Sequence, residues 1–145
     1  LHTRQITVLP ERVDERLLAW LGRGRLEKVL VVHVNHPNEI GSAVEHALKK
    51  LRGLPLTLLN QSVLLHGVND QASTLDKLSK RLFSCGVLPY YLHLLDPVQG
   101  AAHFHVTDHK ASLLMRELST CLPGYLVPRL VREEPGASAK TGVSW

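Results

Sequence analysis

The sequence predicts an α/β protein built from parallel βαβ units. Short runs rich in Val, Ile and Leu alternate with longer runs whose apolar residues recur at helical spacing. The connections between these runs are short, as in right-handed crossovers between parallel strands. Three or four such units are too few to close an eight-stranded barrel, which takes ~250 residues. A small open sheet and a segment of a barrel both remain open at this point.

The elements follow in order. Residues 5–9 (QITVL) read as a strand stopped by Pro10. Residues 11–22 read as a helix with Val13, Leu17, Leu18 and Leu21 on one face. Residues 28–34 (KVLVVHV) are the clearest strand, apolar on both faces as a buried parallel strand must be. Residues 42–51 form the next helix, with Ser42 as N-cap, Glu45 at the capping-box position and Gly53 as the stop. Residues 56–60 (LTLLN) are a strand. Asp70 caps a helix over residues 71–85, with Leu75, Leu78 and Leu82 inward and Gly86 as the stop. Residues 87–95 form a strand, and Thr107 caps a helix that runs to Cys121 with Leu113, Leu114 and Leu118. Residues 125–131 are extended, and Pro128 makes them an edge or non-sheet segment. The tail beyond Glu133 reads as a Gly/Ser/Pro-rich loop.

Composition bounds the function. Of 145 residues, 44% are hydrophobic and 21% charged, which excludes wholesale disorder. The longest aliphatic run, residues 29–32, is far short of the ~20 residues of a membrane helix, so no membrane partner is expected. Seventeen basic residues against thirteen acidic give +4, but the charges are scattered, and without a basic patch no nucleic-acid partner is expected. The chain starts at Leu1 inside a strand-like segment and without a signal-type stretch, which points to part of something longer. The two cysteines, Cys85 and Cys121, have no C-x-x-C partner and read as buried free thiols of a reducing, cytoplasmic compartment.

In parallel α/β folds the functional side chains gather where the strands end. Three strand ends turn polar here: His33 with the loop from Asn35 to Glu39, then Asn60-Gln61-Ser62, then His93 and Asp96. Each residue alone reads as loop capping; the three groups on one rim read as a site. His103 and His105 alternate on what reads as an extended stretch, with no third residue spaced to complete a metal site. Lys140, read by composition alone, is a solvated lysine.

Four ordered segments then carry a resemblance: HVNHPNEI (33–40), NQSVLLHGVND (60–70), PYYLHLLDPVQGAAHF (89–104) and GYLVPRLVREEPGASAKT (124–141). Together they resemble the lysine 2,3-aminomutase family, radical S-adenosylmethionine enzymes that also use pyridoxal phosphate. The chain is most similar to the subgroup that makes β-lysine for elongation factor P. The resemblance implies the C-terminal half of a partial (β/α) barrel over residues 1–123, followed by a lysine-bearing arm over 124–145. Lys140, in its G-x-x-x-K-T context, falls at the family's Schiff-base lysine. Asp96 falls at a carboxylate that holds the substrate lysine's distant ammonium, and Glu133 near a second one, in a local sequence (REEPGAS) that departs from the family's D-x-P-G-G-G. His33 and Gln61 fall near the S-adenosylmethionine site, and His93 replaces a tyrosine and faces the pyridoxal cofactor.

The family's 4Fe-4S cluster is held by a C-x-x-x-C-x-x-C motif. The two cysteines here lie 36 positions apart (121 − 85), so the cluster ligands are absent from this chain. The resemblance therefore implies a chain that does not generate the radical alone, that acts on lysine, and that self-associates or pairs through a cut barrel edge where Val29, Val31 and Leu58 would otherwise meet water. A different α/β lyase or isomerase, with Asp96 and His33 as acid and base, and a non-catalytic self-associating fragment are the alternatives.

Overall fold

The computed structural model describes residues 1–95, 102–133 and 140–145. Among the described residues six strands form one sheet in sequential order: β1 (His2–Thr3), β2 (Val29–Val32), β3 (Thr57–Leu64), β4 (Leu88–Leu94), β5 (Arg129–Arg132) and β6 (Thr141–Gly142). The first five pair in parallel and β6 returns antiparallel to β5. Helices α1 (Gln5–Val8), α2 (Glu15–Gly22), α3 (Ser42–Arg52), α4 (Ala72–Ser84) and α5 (Asp108–Cys121) fill the connections. The α/β class and the parallel units are as the alternation predicted.

Alternation along each strand sorts the sheet into two faces. Leu30, Val32, Val34, Leu58, Leu64, Leu92, Leu94 and Leu130 point one way, into two apolar clusters shared with the helices. The first cluster takes Leu48, Leu51, Leu78 and Leu82; the second takes Leu75, Met115 and Leu118. Residues of opposite parity (Val29, Val31, Leu59, Gln61, Val63, Tyr91, His93) share the other face. The expectation that Val29, Val31 and Leu58 meet water together is corrected. Leu58 points to the helices and is buried, Val31 is buried, and Val29 is 44% exposed.

Several local expectations fail for identifiable reasons. Residues 5–9 are not a strand. β1 ends at Thr3, whose hydroxyl accepts from Gln5 N (3.0 Å), and the chain turns into the short α1 with Ile6 inward. The predicted helix over 11–22 is a 3₁₀ turn (Pro10–Arg12) followed by α2, capped by Asp14 accepting from Leu17 N (2.8 Å). Ser42 does not cap α3; Gly41 holds that position, and Glu45 pairs with Lys49 (2.6 Å) and Arg81 (2.7 Å) instead. Asp70 does not cap α4 either, because its carboxylate is engaged by His66 (2.8 Å) and Lys110.

Other stops hold. Thr107 caps α5 by accepting from Lys110 N (3.3 Å). Gly86 ends α4 at φ 81°, where a Cβ would also come within 2.6 Å of Arg52 Cδ. Cys85 is buried and free as expected; Cys121, at the last turn of the amphipathic α5, is exposed. His103 lies in a 3₁₀ turn (Ala102–Phe104), so the pair with His105 is not extended.

Pro128 precedes β5 rather than interrupting it. The tail is not loop throughout, since Val131 pairs with Gly142 and Arg132 with Thr141. That pairing fixes the chain immediately after Lys140.

Candidate active site

The polar residues at the strand ends divide into two sets. Asn60 and Ser62 lie inside β3, because this strand continues to Leu64 and does not end at Asn60. They face the helices at 1% and 5% exposure. Asn60 Oδ1 accepts from Val34 N (2.9 Å), its Nδ2 donates to Val34 O (3.1 Å), and Ser62 Oγ donates to the same carbonyl (2.7 Å). The side-chain amide thus extends the ladder two residues past the end of β2.

The neighbouring loop is equally self-contained. Asn35 Oδ1 accepts from Val63 N (2.8 Å), and Asn69 Nδ2 donates to Asn35 O and Val63 O (2.8 Å each). Glu39 accepts from Asn35 N (2.7 Å) and His36 N (2.8 Å). These groups close on backbone and position the rim.

The second set converges on an amine. Gln61 pairs with Tyr91 and Val63 with His93 across β3 and β4, so Gln61, Tyr91 and His93 share the face away from the helices. A bulge at the Asn60/Gln61 step leaves Tyr90 without a partner in the register. The consecutive rings of Tyr90 and Tyr91 therefore meet at 3.9 Å instead of pointing to opposite faces. The hydrogen bond with Tyr91 and burial push the Tyr90 phenol above its ordinary value.

Lys140 arrives from the arm anchored by β6. Its Nζ lies 3.1 Å from His93 Nε2, 3.4 Å from Gln61 Oε1 and 3.6 Å from Glu133 Oε1. It also stands 4.9 Å from the centre of the Tyr91 ring. The same Glu133 oxygen is 3.8 Å from His93 Nδ1. His93 is buried; the Lys140 side chain is 27% exposed and Glu133 60%.

His33 stands just past β2, with its ring centre 6.2 Å from that of His2. Burial, then the charges of His2, Arg4 and Lys140, hold its pKa below the usual histidine value. The structure thus brings Lys140, His93, Gln61 and Glu133 together and places His33 within reach of the Lys140 charge. Asp96 lies outside the described residues. Tyr91 was not among the residues picked from sequence; the signal was its spacing of two from His93 in a strand.

This donor set suits an aldehyde-bearing cofactor, offering a partly open primary amine held among an imidazole, an amide, a carboxylate and a phenol ring. It does not suit an iron–sulfur cluster. The two thiols, Cys85 and Cys121, sit at the ends of α4 and α5 on the helix layer, and such a cluster takes several thiolates. Among the described residues no group of three or more His, Cys, Asp or Glu is placed to hold a metal ion. No described helix is long and apolar enough to cross a membrane.

Comparison with known proteins agrees with the motif reading. Over 141 residues the chain is 52% identical to the L-lysine 2,3-aminomutase of Escherichia coli and 50% identical to that of Haemophilus influenzae. The chain is a homologue of part of the L-lysine 2,3-aminomutases. The match takes 97% of this chain and 41% and 42% of those two proteins, so the chain spans about two fifths of their length. A more distant relative, the L-lysine 2,3-aminomutase of Clostridium subterminale, is 36% identical over 97% of the chain and 34% of its own length. No protein-family model matches the chain.

Proposed function

We propose that the chain is the substrate- and cofactor-facing portion of a cytoplasmic lysine 2,3-aminomutase, an isomerase that converts L-lysine to β-lysine for attachment to elongation factor P. The observation that carries the reading is the seating of Lys140 Nζ against His93, Gln61, Glu133 and Tyr91. It rests also on relatives at 50–52% identity that bear the aminomutase name.

In this reading residues 1–123 supply βα units of a barrel and residues 124–145 the arm that presents Lys140. Lys140 would hold pyridoxal phosphate through its aldehyde, and the cofactor, when bound, would supply a conjugated ring able to delocalise an unpaired electron. His93 and Tyr91 flank the amine and fix where it can reach. Glu133 takes the substrate's distant ammonium, a role carried over from the motifs also to Asp96, which lies outside the described residues. His33, its pKa lowered by burial and by the charges of His2, Arg4 and Lys140, lines the S-adenosylmethionine side together with Gln61. The cluster that cleaves S-adenosylmethionine takes no ligands from this chain, so radical formation belongs to a longer protein or a second chain. The edge of β1 and the exposed Val29 and Leu88 are where such a partner, or a second copy, would pair.

The test is borohydride trapping with pyridoxal phosphate followed by peptide mapping. Label is expected on Lys140 and lost in Lys140→Ala. Label spread over Lys49, Lys77, Lys80 and Lys110, with none on Lys140, overturns the reading.

A further inference from the structure

The sheet face that carries Gln61 continues across β2 and β1. Strand alternation puts Val31 on that face, and His33, two residues on, keeps its parity. Carrying the β2–β3 register two residues past the Val31–Leu59 pair sets His33 level with Gln61. His2 pairs with Val31 across β1 and β2, so it stands one row below His33 on the neighbouring strand. Diagonal neighbours on one face of a strand pair are within reach of each other when the side chains are aromatic. Here the two ring centres lie 6.2 Å apart with the planes at 67°, an edge-to-face contact.

The backbone at His33 is already held. Its carbonyl accepts from the Thr7 hydroxyl (3.5 Å), and the next amide, Val34 N, donates to Asn60 Oδ1 (2.9 Å). What the backbone leaves open is rotation of the ring about its side-chain bonds. Arg4, from the turn after β1, and Lys140, from the arm, both act on His33 as positive charges. The Glu39 carboxylate stands toward Arg4 (3.9 Å) and accepts from Asn35 N and His36 N. Positive charge beside an imidazole disfavours its cation but does not set its plane. A ring packed against it edge-on does.

We propose that His2 is a positioning residue for His33, fixing the ring plane in which the imidazole offers its nitrogens to a ligand on this sheet face, level with Gln61. That the ligand is S-adenosylmethionine rests on the aminomutase reading; the positioning does not. The support comes from the sheet itself, since β1 is laddered to β2, with Val31 N donating to Leu1 O (2.8 Å). His2 also adds to the lowering of the His33 pKa, second to burial. That effect depends on charge and is separable from the ring contact.

The test separates ring from charge with two variants of this chain. His2→Ala removes both, and His2→Phe keeps a ring and removes the charge. His2 is exposed and outside both apolar clusters, so neither change opens the core. Carbon relaxation NMR reads the order of the His33 ring. The order parameter is expected to fall from about 0.85 to below about 0.6 in His2→Ala and to hold at about 0.85 in His2→Phe. The His33 pKa should rise in both variants, because both lose the His2 charge. A His33 ring as ordered in His2→Ala as in the unaltered chain overturns the proposal. So does loosening in His2→Phe equal to that in His2→Ala.

S-adenosylhomocysteine, followed through the His33 ring signals, probes the ligand. It should bind several-fold more weakly to His2→Ala than to the unaltered chain, with His2→Phe recovering most of the loss. Measurable binding that is equal in all three forms overturns the proposal. Failure of the aminomutase reading is seen separately. Ring order that follows the variants as expected, with His33 signals that S-adenosylhomocysteine does not move, keeps the positioning and removes S-adenosylmethionine from it.

Discussion

Two polar clusters lie within a few residues of one another in this sheet, and they behave in opposite ways. Around Asn60, Ser62, Asn35 and Asn69 most side-chain bonds end on a backbone group. Around Lys140 the contacts run side chain to side chain and converge on one amine. Burial alone does not separate them, since Asn60 and His93 are both buried. Direction does. Asn60 points into the helix layer, where an unmade hydrogen bond is costly and must be closed internally. His93 points to the opposite face, where its partners include the Lys140 amine and the Glu133 carboxylate. Consecutive residues of one strand, Asn60 and Gln61, therefore serve different ends because a strand alternates its side chains.

Crossed substitutions should break or sharpen this contrast most strongly. Asn60→Ala removes a buried amide and leaves Val34 N and O without it, so unfolding free energy should fall by about 2–4 kcal/mol. Lys140→Ala should change stability by less than about 0.5 kcal/mol, since the side chain is partly exposed and outside both apolar clusters. Urea unfolding measures both. Equal losses would mean that the two clusters are one structural network and that the division made above is false.

A third cluster tests the rule at its margin. Asp70, His66 and Lys110 also contact one another side chain to side chain, yet at the rim where β3 meets α5. Burial pushes the Asp70 carboxyl up, but hydrogen bonds from Lys110 and His66 outweigh it and hold the pKa below the usual value. A carboxyl depressed on folding adds stability above its unfolded pKa near 3.9 and loses it as pH falls through the folded value. Asp70→Asn should therefore cost about 1–2 kcal/mol near pH 7 and progressively less toward pH 3. It should leave Lys140 trapping unchanged. Reduced trapping would place this rim cluster in the active site and not in the scaffold.

How much of this was legible beforehand follows from where local and tertiary signals agree. The helices α3, α4 and α5 and the strands β2 and β4 stood out by apolar period, and Gly86 by its position after a helix. Asn60-Gln61-Ser62 read as a strand end because Asn and Ser usually mark turns; only the position of Val34, 26 residues earlier, makes Asn60 a strand residue. Residues 5–9 read as a strand because Ile, Thr and Val favour one, whereas Thr3 ends β1 before them. His93, Gln61, Glu133 and Lys140 were each named from motifs, but for different parts of the site, and their meeting around one amine was not. Tyr91 was not, because an aromatic in a strand ordinarily signals packing and the bulge beside it leaves no mark in the sequence.

The smallest expected effect is the most direct reading of the Lys140 charge. His33 titrates below the ordinary histidine range because burial disfavours its cation, and the charges of His2, Arg4 and Lys140 add to that in decreasing order. Removing the last and weakest of these, by Lys140→Ala, should move the His33 pKa slightly upward without restoring the ordinary value. Lys140→Arg, which keeps the charge, should leave it low. The linkage follows with a definite sign. A histidine whose pKa is depressed on folding contributes stability that is whole above its unfolded pKa of about 6.5 and is lost as pH falls toward the folded value. In Lys140→Ala that loss should be shallower, so the two proteins should differ less in stability near pH 5 than at pH 7 if the wild type is ahead at neutral pH. Proton NMR of the His33 ring over pH 4–8 gives the pKa directly. An unmoved His33 in Lys140→Ala would overturn the coupling between the Lys140 side chain and this histidine.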